Sequence, residues 1–297
     1  MIVLLTASGA SAQNINSISS QLDFDLPETA EPVVDDGRQP ASVEEEGQVE
    51  SLVVGAQEKA GPKVSLLLLG QSGAELDTNP GRIEGGSDDL ARFRSDFVAL
   101  ASASWNDFTL GTTALLRNDD FAEGGDNDLT VLLFENRATY TASSIQPYVA
   151  YTPIFVYGDL LSDYLLTAQE VGGGVGIPLW QKSGAQLGLE ANYTYRFATI
   201  AEFEGHRPYV KLSYAQPISG GAKFVLEGSV RPRIFTGGAS DGREDLNLLS
   251  KASVSVPLSP ALQLQLNAEH EYNNSNRDGG SYSVWDIGPK LVLLTSL

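Results

Sequence analysis

The chain contains no cysteine, so neither disulfides nor thiolate metal sites enter its chemistry. Histidine is almost absent too: His206 and His270 are the only two. Basic residues are scarce, 19 Lys and Arg against 38 Asp and Glu, for a formal charge of −19. Phosphate contacts need clustered Lys and Arg, which excludes nucleic acid as a partner. Long apolar runs are missing as well. A membrane helix needs roughly 18 to 20 such residues, and the best stretch, VSLLLLG at Val64 to Gly70, is short and broken by Ser65. A helical membrane protein is therefore excluded. A membrane β-barrel is not, because its strands alternate and leave the mean hydropathy near neutral.

Alternation is what the sequence does contain. In AQLGLEANYTYRF, residues 185 to 197, the odd positions are apolar or aromatic and the even ones polar or glycine. That is the two-residue period of a strand with one greasy and one wet face. The stretch is about twice the usual strand length in soluble domains.

The organisation follows in three parts. Residues 1–12, MIVLLTASGASA, carry a short apolar run and the small-residue pattern Ala10-Ser11-Ala12, expected as the remnant of a secretory signal. Residues 13–61 are rich in acid and carry Pro27, Pro32 and Pro40. Such a segment buries too little apolar surface to offset its ordering entropy, and is expected to be disordered. From residue 62 to 297 the alternation persists. It predicts strands at 63–75, 90–104, 107–117, 128–141, 145–157, 164–179, 185–198, 207–217, 222–235, 246–257, 261–273 and 282–297.

The connections sort by length. Long polar loops such as ELDTNPGRIEGGSDD, NDDFAEGGDND and TGGASDGRED alternate with tight turns near Trp105-Asn106, Ser219-Gly220-Gly221 and Ser259-Pro260. GDLLSD, at 158–163, is the shortest of the long set. Long loops on one side and short turns on the other mark an outer-membrane barrel. The fold class is all-β: a twelve-stranded antiparallel up-and-down transmembrane barrel, ten and fourteen being the adjacent even counts. Aromatics sort as well. Trp105 and Trp180 fall at short-turn ends, while Tyr193, Tyr195 and Trp285 fall near long-loop ends, as interfacial girdles require.

On these features the chain resembles the Gram-negative outer-membrane β-barrel superfamily in the broad porin-like sense, over about residues 63–297. The resemblance implies an outer-membrane location with both termini periplasmic. It also implies contact with outer-membrane lipid and lipopolysaccharide, and insertion by the barrel-assembly machinery. The superfamily's last residue is usually aromatic; here SYSVWDIGPKLVLLTSL ends in Leu297.

If the apolar phase meets lipid, the other phase lines the lumen. That assigns the basic residues Arg92, Arg94, Arg117, Arg137, Arg196, Lys211, Lys223, Arg231, Arg233, Lys251 and Lys290 to the interior. It also assigns the acids Asp96, Glu135, Glu170, Glu190, Glu227, Glu269, Glu271 and Asp286 there. Two readings compete. The charges pair across a closed interior, or they line a water-filled pore favouring anionic solutes. The doublets Arg92/Arg94 and Arg231/Arg233 lean towards a basic constriction. The expected function is a passive channel for small polar, slightly anion-preferring, traffic. The alternative is a non-conducting anchoring barrel whose acidic segment or loops bind an envelope partner in the periplasm or outside.

No enzyme, cofactor or metal site is expected. Neither histidine is followed two residues on by serine, and His270–Ser275 is the one His–Ser pair on offer. A girdle histidine is the plainer reading, which makes a lipid-modifying enzyme the least favoured class. The carboxylates Asp119, Asp120, Glu123, Asp126 and Asp128 match no EF-hand spacing and read as a solvated loop. GGGVG at 172–176 precedes no helix, so it is no phosphate cradle.

Overall fold

The computed structural model describes residues 63–86, 89–122 and 128–296. The expected signal remnant (1–12) and acidic segment (13–61) lie outside the described residues, as does Leu297. Twelve strands run in sequence order: β1 Lys63–Asp77, β2 Leu90–Trp105, β3 Phe108–Phe121, β4 Leu129–Tyr140, β5 Gln146–Asp159 and β6 Ser162–Lys182. They continue as β7 Ala185–Ala198, β8 Gly205–Pro217, β9 Lys223–Phe235, β10 Glu244–Pro257, β11 Leu262–Ser275 and β12 Tyr282–Ser296. Each pairs antiparallel with its neighbour, and β1 closes onto β12 from Leu67↔Ser296 to Asp77↔Asp286. Closure leaves no free edge, the condition for a sheet surrounded by lipid.

The two-residue period now has two surfaces. In β2, Phe93 and Phe97 are more than half exposed, whereas Arg92, Arg94 and Asp96 on the alternate positions are buried. The same inversion continues round the wall, with Val149, Val210, Leu226, Leu266, Ile287 and Leu293 exposed on the outer face. A belt of exposed large aliphatics on every side, with the charges buried, is the reverse of a water-soluble protein. Its solvent is hydrocarbon.

Short turns close one end of the barrel. Ser183-Gly184 joins β6 to β7 with φ of 53° and 80°, the left-handed pair that a two-residue hairpin of matching twist demands. Here glycine is required at the second position. Several strands run further than their alternation suggested, among them β1 to Asp77, β3 to Phe121 and β6 across 21 residues. The β5–β6 connection differs most. Expected among the long loops, it is a tight turn at Leu160-Leu161, with the register shifted at Val156/Tyr157. A bulge increases local twist, which lets the two strands meet without a longer loop.

Candidate functional site

The inward phase carries the chemistry, and its long-loop half is filled. Arg92 places Nη2 2.7 Å from Glu75 Oε2 and 2.9 Å from Asp286 Oδ1, with Nη1 3.3 Å from Asp77 Oδ2. Since β1 separates β2 from β12, the Arg92–Asp286 contact passes through the interior. Arg94 forks onto Asp119, with Nε and Nη2 at 2.6 and 2.9 Å from its two oxygens. A planar guanidinium matched to both carboxylate oxygens is the strong form of this pair. Arg82 enters from the loop after β1 and is only 3% exposed. Its guanidinium reaches Asp77 at 2.5 Å, Asp286 at 3.5 Å and Glu271 at 3.8 Å. Burial opposes the Arg82 charge, but the carboxylates of Asp77, Asp286 and Glu271 win and hold its pKa above the usual arginine value.

The network continues round β9 to β12. Tyr282 donates to Glu271 Oε1 at 2.7 Å, Asn247 Nδ2 donates to the same oxygen at 2.7 Å, and Arg233 Nη2 approaches it at 3.4 Å. Arg243 forks onto Asp245 at 2.8 and 2.6 Å, and both Arg243 and Arg207 lie over the Phe235 ring.

An apolar row below these charges, continuing round β4 to β6, departs from the expectation of a polar inner wall. Leu69, Val98, Leu115, Leu133, Ile154 and Ala168 form one register row across β1 to β6. None is more than 6% exposed. Phe203, from the short 3-10 turn Ala201–Phe203 between β7 and β8, packs into the same cluster. An inward face need not be wet if side chains fill the bore, as they do in small barrels. On β1 to β3 this aliphatic row lies beside the charge pairs of the same strands, and on β4 and β5 Val131, Leu133, Ile154 and Val156 continue the fill.

Towards the short turns the interior is polar and looser. Arg137 lies 3.4 Å from the Tyr148 ring centroid and 3.3 Å from Glu190. Tyr148 donates to Glu190 at 2.6 Å, Asn192 Nδ2 donates to Tyr148 at 2.8 Å, and Lys211 approaches Glu190 at 3.6 Å. Lys251 pairs with Glu269 at 3.2 Å. The Arg137 and Lys251 side chains remain 32% and 27% exposed.

The remaining sequence-assigned residues fall as follows. Arg117 pairs with Asp96 at 2.7 Å, Arg196 with Glu170 at 2.5 Å and Lys290 with Glu75 at 2.7 Å. Glu135 and Glu227 are half-buried, Arg231 is buried and Lys223 is exposed at the foot of β9. Arg92 and Arg94 form no bare basic constriction, because Glu75, Asp77 and Asp119 meet them. Glu75 closes the expected first strand but is not among the expected lumen residues, and Asp77 and Asp119 continue the inward parity of their strands past the expected ends. Arg82, Arg243 and Tyr282 had no such signal, since they come from loops or act through partners on other strands. Asp119 is therefore no loop carboxylate. Asp128 instead accepts from the Phe121 backbone N–H at 2.8 Å, while Glu123 and Asp126 lie outside the described residues.

On the outer wall Trp105 and Trp180 are exposed at the short-turn end, and Tyr193 and Trp285 at the long-loop end. Tyr195 is half-buried, its hydroxyl 2.9 Å from Thr236. His206 Nδ1 lies 2.6 Å from the Tyr193 hydroxyl. His270 does not pair with Ser275, whose Oγ accepts from the Arg277 backbone in the turn. Instead His270 Nε2 lies 3.0 Å from Ser283 Oγ on β12. Register across strands, not spacing along the chain, selects that serine.

Residues 155–283, less than half of the chain, match a family described as a protein of unknown function, DUF481. No curated protein matches the chain. Among solved structures it is similar to an outer-membrane channel from Pseudomonas putida F1, at 12% identity and a TM-score of 0.45, over 82% of this chain and 100% of that one. It is also similar to the translocator domain of the autotransporter NalP from Neisseria meningitidis, at 11% identity and a TM-score of 0.45, over 80% and 90%. A third is LpxR from Salmonella typhimurium, at 9% identity and a TM-score of 0.43, over 76% and 99%. The closed twelve-strand sheet, with its aliphatic outer belt and buried inner charges, has the architecture of a membrane-spanning β-barrel.

Proposed function

We propose that the protein is an anchoring outer-membrane barrel, shut to free diffusion in this conformation, that presents its loops and acidic N-terminal sequence to an envelope partner. One observation carries the reading: Arg82, from a loop, is locked inside the long-loop mouth onto Asp77, Asp286 and Glu271. The buried aliphatic row and Phe203 support it as further fill of the bore. A solute crossing the barrel would have to break buried ion pairs, whose loss leaves uncompensated charge. Purified protein in planar bilayers is expected to show no steady conductance.

The exposed charges of the short-turn half favour a second reading, a passive channel for small polar solutes. In that reading the loop bearing Arg82 withdraws, and Arg137, Lys211 and Lys251 meet the solute alongside Glu190 and Glu269. Steady wild-type conductance with anion preference would replace the first reading by this one.

A further inference from the structure

Among the described residues the outer wall carries a serine–histidine pair that the barrel does not need for closure. Ser283 and His270 both project from the sheet, on the adjacent strands β12 and β11 near their long-loop ends. Nε2 of His270 stands 3.0 Å from Ser283 Oγ, within reach for proton transfer. The Trp285 indole stacks on the imidazole, with centroids 4.4 Å apart and planes 29° apart, and so fixes the ring's plane. The loop after β1 holds the serine strand from the other side. Thr78 Oγ1 accepts from Trp285 N–H at 2.8 Å, and Asn79 Nδ2 donates to the Ser283 carbonyl at 3.4 Å.

Depth supplies the substrate. Trp285 is exposed on the wall, and an indole there anchors at the headgroup level of the membrane. Acyl ester linkages of membrane lipids lie at that depth. We propose that Ser283 and His270 form a hydrolytic site for carboxylic esters of lipids in the outer leaflet. With the imidazole proton on Nδ1, Nε2 accepts the hydroxyl proton as Ser283 Oγ attacks the acyl carbonyl. Collapse of the adduct breaks the carbonyl C–O ester bond, and the imidazolium returns the proton to the departing alcohol. Water then attacks the acyl-serine, giving its proton through Nε2 to Ser283 Oγ as the fatty acid leaves. Among the described residues no carboxylate meets the imidazole, so stacking on Trp285 takes over the orienting role.

The test uses the full chain in phosphatidylethanolamine–phosphatidylglycerol vesicles, with and without lipopolysaccharide. Released fatty acid is measured, and a fluorophosphonate probe is mapped by mass spectrometry. Wild type is expected to release acid and carry the probe on Ser283. Ser283→Ala is expected to abolish both, His270→Ala to lower release about 100-fold or more, and Ser275→Ala to change neither. Release in both vesicle sets assigns the ester to phospholipid, and release only with lipopolysaccharide assigns it there. Heat-modifiable migration verifies that each variant is folded. No release and no labelling by folded wild type in either set, or release that survives Ser283→Ala, overturns the proposal. Neither outcome depends on whether the barrel conducts.

Discussion

The two halves of the barrel interior use the same residue types for different ends. Near the long loops, Arg92, Arg94 and Asp77 are sealed from water and each meets more than one partner or a bidentate one. Near the short turns, Arg137, Glu190 and Lys251 form similar pairs while staying partly exposed. Coulomb attraction strengthens as water leaves, but so does the cost of a missing partner. The difference teaches that charge count alone says nothing about a bore; access of water decides whether charges lock it or line it.

Asp77→Ala is expected to have the largest effect, leaving Arg82 and Arg92 short of a buried partner. A loss of about 3 to 5 kcal/mol is expected, read as a lower denaturation midpoint in detergent. Ile154→Ala, in the aliphatic row, is expected to cost roughly 2 to 5 kcal/mol through the cavity it opens, read the same way. If both are neutral, the long-loop half is not the sealed region described. Arg82→Ala sharpens the comparison electrically: folded variant protein is expected to conduct in bilayers where wild type does not. The smallest effect falls on Arg137→Ala, at about 1 kcal/mol or less, because exposed pairs are screened. Raising the salt concentration is expected to bring that variant towards wild type. Asp77→Ala should keep its deficit under the same salt, since buried pairs are screened far less.

Much of this is legible in the order of residues. The stretch AQLGLEANYTYRF became β7 with its expected parity, because alternation is a local property of the backbone. The inward side of Arg92, Arg94 and Asp96 followed from the same parity. The inner aliphatics did not. TVLLF in β4 and PIFVY in β5 are apolar on both phases, so no face stands out. Asp77 is hidden by the turn signal Asn79-Pro80 that follows it. Ser283 was invisible as a partner of His270, since thirteen residues and a loop separate them.

Strand existence, strand direction and the sorting of greasy from charged faces were set by the order of residues alone, since each depends on neighbours two positions apart. Whether the bore is filled was decided only in three dimensions. Arg82 and Phe203 enter it from loops, and their partners lie on strands far apart in the chain. Closure of the sheet brings those strands together, and no local pattern encodes the distance across a cylinder.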